Sequence, residues 1–380
     1  MEKIREYLDK RVSSFRIDEK KTDYGFRILK PCNSKGEFRK IENCKNSIFL
    51  AGPCPRKDYR DDWRYEAFDL LEKIGFKGMV ITPTNENYQK IAGTDALSKQ
   101  TWWEHTAMSV ASAIVFWIPR SKEHPGFTTN IEFGEWFKKP NTFFGWPKNA
   151  EHNNYLGIRL EENGKKFETT LFKTLKNAVD ALSRKETMFF TSDTHFSQER
   201  TLDLSRRPFI NVDEMDLEMI SNWNKNVTMQ DTVVHCGDFG ELEKAKEIIN
   251  NLNFKKLIWI CGNYERREYA DFKKLAKSLD GVEFMDYYTF TKNKKNYLCI
   301  HEPVSQYVEE ANKKFGKKDY IALFGHIHGR NFAKTNGFDV GTDYHRYTPI
   351  SLEQVEWFRN AMQYWDINVH TGAVVQEPSK

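Results

Sequence analysis

The chain has 380 residues, of which 29% are charged and 39% belong to the hydrophobic class, and its formal net charge is +4. This composition is ordinary for a soluble protein, and the small net charge gives no strong signal for nucleic-acid binding. No apolar run approaches a membrane span, the N-terminus lacks the apolar core of a signal peptide, and the six cysteines show no CxxC spacing. We therefore expect a cytoplasmic protein with reduced thiols and no membrane partner, and the length favours two domains.

The first half alternates short apolar runs with segments of helical periodicity. Residues 1–46 are polar and mixed, and we expect an N-terminal extension with some helix. Predicted strands cover 47–53, 78–83, 113–119 and 141–147, and predicted helices cover 62–75, 98–112 and 128–139. This alternation predicts a parallel α/β sheet with helices on both faces, in a domain spanning 47–186 that the amphipathic stretch 165–185 closes.

In the second half, 187–380, a potential metal ligand follows each of five apolar strand-like runs. The ligand types are carboxylate, imidazole and amide: Asp193, His195, Asp238, Asn263, His301, His326 and His328. Strand ends of an open α/β sheet converge on one edge, where such sheets bind ligands. The pair His326 and His328 alone could equally be a solvated strand edge, but seven O and N donors suit two divalent ions such as Mn²⁺, Fe or Zn²⁺.

The blocks SDTH, HCGDFG, CGN, IHEP and FGHIHG, in this order, resemble the calcineurin-like metallophosphoesterases over about 187–350. The resemblance implies an α/β sandwich in which Asp193, His195 and His328 hold one ion. It implies that Asn263, His301 and His326 hold the second ion and that Asp238 bridges the two. Such a centre hydrolyses phosphoesters without a protein nucleophile.

Two stretches depart from the pattern of that family. Tyr264 occupies the position at which the family usually has a histidine near the leaving group, and a phenol is a poor acid at neutral pH. A phosphodiester with a good leaving group, a slow phosphatase and an inactive metal-binding domain are the alternatives. The loop after DTHF reads SQER where the branch usually has a Gly-His-x-Asn run. Four arginines could hold phosphate or be solvated, namely Arg206, Arg207, Arg266 and Arg267.

The informative stretch of the first half is GFTTNIEFG, which places Glu132 in the first part of a helix at the sheet edge. On spacing alone this carboxylate has a structural explanation, because Glu is favoured near helix N-termini. However, IFLAGP, WWEHTAMSVASAIVFWIP and GFTTNIEFG together resemble the nucleoside 2-deoxyribosyltransferase-like family over about 47–147. The resemblance implies a flavodoxin- or Rossmann-like domain in which Glu132 attacks the anomeric carbon of a nucleoside.

The same resemblance suggests further site residues in the first domain. Asp95 and Glu104 are candidates for protonating the leaving base, although capping or surface roles also fit them. Gly52 and Pro53 would let the backbone approach the sugar, and Asn130 lies in the same block as Glu132. Arg56, together with Arg60, could hold a 5′-phosphate or be solvated.

Three functions remain open on the sequence. The first is a bifunctional enzyme of nucleotide metabolism that breaks or transfers an N-glycosidic bond and hydrolyses a phosphoester. The second is a phosphodiesterase regulated by a non-catalytic nucleotide-sensing domain, and the third is a binding protein made of two degenerate enzyme folds. The resemblances imply a nucleoside or nucleotide substrate, a homo-oligomer and a bacterial or phage origin.

Overall fold

The structure is a computed structural model that describes residues 24–54, 62–84, 95–122, 125–303, 305–317, 319–329, 333–334, 336–363, 367–368 and 373–374. None of the helices in these ranges combines the length and hydrophobicity needed to cross a bilayer.

The first domain is built on a six-stranded sheet in which every pairing is parallel. Its strands are β1 (Arg27–Leu29), β2 (Ser47–Ala51), β3 (Met79–Ile81), β4 (Ala113–Trp117), β5 (Thr142–Gly145) and β6 (Phe167–Glu168). They lie in the order β1-β3-β2-β4-β5-β6. Without the edge strand β1 this is the flavodoxin-like order, whose ligand crevice lies between the carboxyl ends of β2 and β4. The predicted parallel α/β class is therefore confirmed.

Five helices surround this sheet: α1 (Trp63–Ile74), α2 (Ala96–Val110), α3 (Phe127–Trp136), α4 (Asn154–Glu161) and α5 (Leu171–Leu182). Local chemistry fixes the ends of α1, since the Asp62 carboxylate accepts from the Arg64 N–H and Gly75 ends the helix with φ of 84°. Helix α5 begins after Thr170, whose hydroxyl accepts from the Lys173 N–H.

The structure differs from two local predictions, and it describes only part of the segment predicted as an N-terminal extension. The helix predicted over 98–112 begins at Ala96, and α4 was not predicted. Within its described part, the segment predicted as an extension with some helix contributes β1 and no helix. A three-residue strand is too short for its alternation to be read from sequence.

The second domain contains two five-stranded sheets with a core between them. One sheet has the order β10-β9-β8-β7-β16, and the other has the order β11-β12-β13-β15-β14. The strands are β7 (Met188–Thr191), β8 (Thr232–His235), β9 (Lys256–Ile260), β10 (Val282–Met285), β11 (Tyr288–Lys292), β12 (Lys295–Cys299), β13 (Ile321–Phe324), β14 (Ala333–Lys334), β15 (Gly337–Asp339) and β16 (Ile350–Ser351), followed by the pair β17 (Ile367–Asn368) and β18 (Ala373–Val374). The apolar side chains of Val234 and Ile258 from one sheet pack with Cys299 and Leu323 from the other, which confirms the predicted sandwich.

The helices of this domain are α6 (Arg200–Leu204), α7 (Val212–Asn226), α8 (Leu242–Asn251), α9 (Tyr269–Lys277), α10 (Tyr307–Phe315) and α11 (Leu352–Gln363), with a 3₁₀ turn at Glu265–Glu268. Helices α7 and α8 lie on the face of the first sheet that is turned towards the first domain, and one hydrophobic core runs through both domains.

Helix α7 also makes the polar part of the domain interface. The ammonium group of Lys225, which is 1% exposed, donates to the carbonyl oxygens of Met108 (3.0 Å) and Ala111 at the end of α2. The Asn224 amide donates to Val110 O at 2.7 Å. These carbonyls have no partner within their own helix, so side chains of the second domain complete the C-terminus of α2.

Candidate active sites

The seven predicted metal ligands converge at the carboxyl ends of strands from both sheets of the second domain. Ligand atoms of Asp193, His195 and His328 lie within 4.8 Å of one another, and so do those of Asp193, Asp238 and His301. The Asn263 side-chain oxygen joins the same cluster, 2.8 Å from His301 Nε2 and 3.2 Å from His326 Nδ1. All seven side chains are therefore brought together, as the strand-end pattern predicts.

The imidazole rings are oriented as metal ligands require. Nδ1 of His195 lies 2.7 Å from Gln198 Oε1, and Nδ1 of His301 lies 2.8 Å from the Cys236 carbonyl oxygen. Because an amide or carbonyl oxygen only accepts, each Nδ1 carries a proton. Nε2 of His195 therefore presents its lone pair to the cluster, whereas Nε2 of His301 faces Asn263 Oδ1 at 2.8 Å and Asp238 Oδ2 at 3.4 Å, which favour a proton there as well. Nε2 of His195 is buried and has no hydrogen-bond partner among the described residues; the Asp238 carboxylate lies 3.8 Å away. A lone pair in this position fits a metal ion.

The charges of the cluster also favour a cation. Burial lowers the pKa of His195, which keeps the ring neutral and able to coordinate. Burial acts in the same direction on His301, but its hydrogen bond to Asp238 and the charge of Asp193 outweigh it and raise the pKa of His301 to about 9. The two carboxylates thus produce a strongly negative field at the centre of the cluster.

The backbone around the ligands is strained in a consistent way. Five of the seven candidate ligands have φ between 47° and 70°, in the left-handed region: Asp193, His195, Asp238, His326 and His328. Non-glycine residues rarely adopt this conformation, and they concentrate at functional sites where the surrounding structure enforces it. The backbone of Gly262 lies close to the Asp238 carboxylate, since a Cβ on Gly262 would lie 2.3 Å from Asp238 Oδ1.

Buried polar side chains outside the predicted ligand set hold the cluster in place. Asp343 Oδ2 lies 2.8 Å from His328 Nδ1, and Asp343 also pairs with Arg207 at 2.8 and 3.0 Å. Arg207 is buried and donates to the carbonyl oxygens of Asp193 (2.5 Å) and Thr194 (2.7 Å). Arg207 therefore organises the ligand loops, and the prediction that it could hold phosphate is wrong.

Glu265 links the loops that carry Asp238 and Asn263. Its buried carboxylate accepts four hydrogen bonds, from the backbone N–H groups of Asp238 (3.0 Å), Phe239 (2.7 Å) and Gly262 (2.9 Å) and from the Trp259 indole (3.2 Å). Burial destabilises the ionised form of Glu265 and raises its pKa. The four hydrogen-bond donors oppose this effect, because they stabilise the carboxylate.

Tyr264 lies at the cluster, where the predicted departure from the family pattern places it. Its N–H donates to Asp238 Oδ1 at 3.0 Å, and its ring meets the His195 ring edge-on with 5.1 Å between centroids. The guanidinium groups of Arg200 and Arg267 lie 5.5 and 4.6 Å from its ring centroid. The loop that departs from the family pattern also lies at the cluster, because Gln198 contacts His195 and Arg200 contacts the ring of Tyr264.

The first domain brings Glu132 of α3 close to Glu104 of α2. Burial and then the charge of Glu104 raise the pKa of Glu132 to about 8. Burial also raises the pKa of Glu104, whose carboxylate accepts from the Gln100 amide at 2.6 Å. Burial and a neighbouring carboxylate therefore both favour a protonated Glu132 near neutral pH.

A buried arginine that the sequence did not indicate supports this site. Arg64 is 1% exposed and donates to the carbonyl oxygens of Leu50 (3.0 Å), Gly52 (2.7 Å) and Pro53 (3.3 Å) at the end of β2. It also pairs with the buried Asp62 at 3.0 Å. Its charge lowers the pKa of Glu132, against the larger effect of burial.

The other predicted residues of the first site have different placements. Asp95 forms an exposed ion pair with Lys99 at the start of α2, nine residues before Glu104, so the structure does not bring it to the pair of carboxyl groups. Asn130 is exposed, and its Oδ1 accepts from Arg120 at 2.6 Å. Arg56 and Arg60 lie outside the described residues.

Gly52 and Pro53 are packed against protein. A Cβ on Gly52, whose φ is 146°, would lie 2.1 Å from Trp117 O at the end of β4. The ring of Pro53 would contact a Cβ on Gly126, the residue before α3, at 2.7 Å. Their visible role is to let β2 approach β4 and the start of α3.

Comparisons with known proteins find a known type of domain in each half of the chain. Residues 45–150 match the family model described as nucleoside 2-deoxyribosyltransferase like, and residues 187–341 match that of the calcineurin-like phosphoesterase superfamily domain. The chain thus contains a nucleoside 2-deoxyribosyltransferase-like domain followed by a calcineurin-like phosphoesterase domain, as both resemblances predicted.

The chain is also similar to individual proteins over part of its length. It is 26% identical over 179 residues to the uncharacterised protein MJ1445 of Methanocaldococcus jannaschii, an alignment that covers 44% of this chain and 88% of that protein. Among solved structures, the protein of unknown function AQ665 from Aquifex aeolicus aligns with 46% of this chain and 100% of its own, at 19% identity and a TM-score of 0.37. A novel archaeal phosphodiesterase aligns with 44% of this chain and 98% of its own, at 19% identity and a TM-score of 0.25.

Proposed function

We propose that the second domain is a metal-dependent phosphodiesterase. The observation that carries this proposal is the cluster of seven ligands with an inward-facing, unpartnered Nε2 on His195. Two divalent ions bound there, Mn²⁺ first and Fe or Zn²⁺ as alternatives, would activate a water molecule and neutralise the oxygens of a phosphate group. Asp193, His195 and His328 would hold one ion, Asn263, His301 and His326 the other, with Asp238 between them.

Tyr264 favours a diester or a strained cyclic phosphate over an ordinary monoester. The position next to Asn263 carries a phenol, and a phenol is a weaker acid than an imidazolium at neutral pH. The leaving group must therefore depart with little help from a protein acid. A diester whose leaving group is a weak base, or a strained cyclic phosphate, satisfies this requirement better than a simple alkoxide.

We propose that the first domain breaks an N-glycosidic bond of a nucleoside or nucleotide. The neighbouring Glu132 and Glu104 support this proposal, because burial and their mutual charge keep a proton on the pair near neutral pH, and a proton residing on Glu104 leaves Glu132 ionised. The ionised Glu132 would attack the anomeric carbon and form an ester as the bond to the base breaks. Glu104 would give its proton to the departing base, and water or a second base would then release the sugar. The whole chain would thus be a bifunctional enzyme of nucleotide metabolism.

The alternative is a phosphodiesterase whose first domain only senses a nucleotide. A product assay separates the two functions. Purified protein is incubated with Mn²⁺ and a panel of nucleosides, nucleotides, NAD and cyclic nucleotides, and the products are identified by mass. The bifunctional enzyme releases free base together with phosphate or an opened diester.

Two variants assign each product to its site. Glu132→Gln should abolish base release while phosphoester hydrolysis continues, and Asp238→Asn should do the reverse. Phosphoester products without free base from any substrate would support the sensor. If no phosphoester bond is hydrolysed in any member of the panel, the proposed phosphodiesterase is wrong.

A further inference from the structure

The cleft above the metal-ligand cluster is larger than a single phosphate group requires. Its volume is about 550 Å³, within the usual range of pockets for small molecules. Five candidate ligands and Tyr264 line one side. The other side is formed by five residues of α6 and the turn after it, which we call the α6 wall: Arg200, Thr201, Leu204, Ser205 and Arg206.

The α6 wall carries two uncompensated positive charges. Arg200 and Arg206 are exposed, and neither forms an ion pair with a carboxylate in the described part of the chain. Among the described residues that line the cleft, Asp238, a candidate metal ligand, is the one carboxylate. The adjacent Arg207, in contrast, is buried and paired with Asp343. An anion from solution would therefore meet no competing carboxylate on the α6 wall.

The backbone of the α6 wall is fastened to the metal-ligand cluster on both sides of Arg206. The Ser205 hydroxyl lies 3.1 Å from His328 Nδ1, and Arg207 donates to the carbonyl oxygen of Asp193 at 2.5 Å. Arg206 itself has φ of 51°. Its position beside the cleft is thus fixed by two neighbours that contact candidate metal ligands. Arg200 is positioned by its contact with the ring of Tyr264.

We propose that Arg200 and Arg206 form a second anion subsite, which binds a phosphate group of the substrate other than the one that is hydrolysed. The inference rests on the proposed phosphodiesterase and names its substrate class, a phosphodiester that carries a further phosphate. Divalent ions would already neutralise the scissile phosphate, which leaves the α6 wall for another anion. Leu204, 64% exposed between the two arginines, offers apolar surface to the sugar or base that connects the two phosphates.

A matched pair of ligands tests the subsite. Thymidine dinucleotides with a phosphorothioate linkage resist hydrolysis, and the pair differs only in the presence of a 5′-phosphate. Calorimetry with Mn²⁺-loaded protein gives both dissociation constants. We expect the 5′-phosphorylated dinucleotide to bind about tenfold or more tightly, the usual effect of charge-assisted hydrogen bonds. The double variant Arg200→Gln, Arg206→Gln should bring this ratio close to one, whereas the partly exposed Arg159→Gln in the first domain should retain it.

Two results would overturn the proposal. Wild-type protein could bind both dinucleotides equally, or the double variant could weaken both by the same factor, which would assign the arginines to the scissile phosphate. Retained Mn²⁺ affinity of the double variant shows that its fold is intact. Hydrolysis of bis(4-nitrophenyl) phosphate, measured separately on wild-type protein, tests the phosphodiesterase itself, so a failure of that function is distinguishable from a failure of the subsite.

Discussion

Glu265 gives the sharpest test of how the metal-ligand loops are held. Oε2 of its carboxylate accepts from the N–H groups of Asp238 and Gly262, and Oε1 accepts from Phe239 and the Trp259 indole. Glu265→Gln keeps the size of the side chain but replaces one oxygen by an NH₂ group. Two of the four hydrogen bonds are then lost, because the new NH₂ group cannot accept and faces two N–H donors.

Each hydrogen bond to a charged group is worth about 1.5–3 kcal/mol, so the loss of two costs about 3–6 kcal/mol. Burial already disfavours the ionised Glu265, and a neutral amide is less costly to bury. We therefore expect Glu265→Gln to lower the unfolding free energy by about 3 kcal/mol, the lower end of this range. We also expect Mn²⁺ to bind about 10–100-fold more weakly, because residues that position ligands typically have this effect.

Guanidinium denaturation followed by tryptophan fluorescence measures the first quantity, and calorimetric titration with Mn²⁺ measures the second. Glu268→Gln is the matched control, because Glu268 lies in the same 3₁₀ turn and is exposed. If Glu265→Gln unfolds within about 1 kcal/mol of this control and binds Mn²⁺ equally well, the proposed role of Glu265 in holding the two loops is wrong.

Three further predictions follow from the same structure. Because the proposed reaction needs one proton on the pair of Glu132 and Glu104, and burial raises the pKa of Glu132 to about 8, kcat/KM for base release should fall as the pH rises from 7 to 9; an increase over this range would contradict the assignment of Glu104 as the acid. Gly262→Ala should abolish tight Mn²⁺ binding, since its Cβ would lie 2.3 Å from Asp238 Oδ1, and calorimetry that gave the wild-type affinity would refute this. Lys225→Ala should lower the unfolding free energy by at least about 2 kcal/mol, because it leaves two buried carbonyl groups without donors. The exposed Lys246→Ala should change it by less than about 0.5 kcal/mol, and equal effects of the two substitutions in denaturation would refute the role of Lys225.

The metal-ligand cluster could be predicted because its signal is local. Each ligand comes directly after an apolar strand, and the topology of parallel strands brings such positions together. Asp343 carries a similar signal, four residues after the end of β15, and it could have been found in the same way. Gln198 could not, because an amide in a loop has many uses and only the folded structure places it 2.7 Å from His195.

Buried charges account for most of what the sequence did not show. Arg207 was predicted as a phosphate contact or a solvated side chain, yet it lies buried against Asp343. Arg64 and Lys225 lie in amphipathic helices where a charged residue ordinarily faces solvent. Their burial depends on carbonyl oxygens that distant parts of the chain present, and sequence spacing does not encode such partners.

Helix α7 connects the two candidate sites physically. Near its start, Asp216 accepts from the N–H (3.0 Å) and hydroxyl (2.8 Å) of Ser197, in the loop that follows the ligand His195. Near its middle, Glu218 pairs with Lys139, just after the helix that carries Glu132, at 2.6 Å. At its end, Lys225 completes the C-terminus of the helix that carries Glu104. One helix therefore contacts the loop after His195, the segment after the helix that carries Glu132 and the end of the helix that carries Glu104. A displacement of α7 would disturb both sites together, so the two domains are better understood as one structural unit than as independent enzymes joined by a linker.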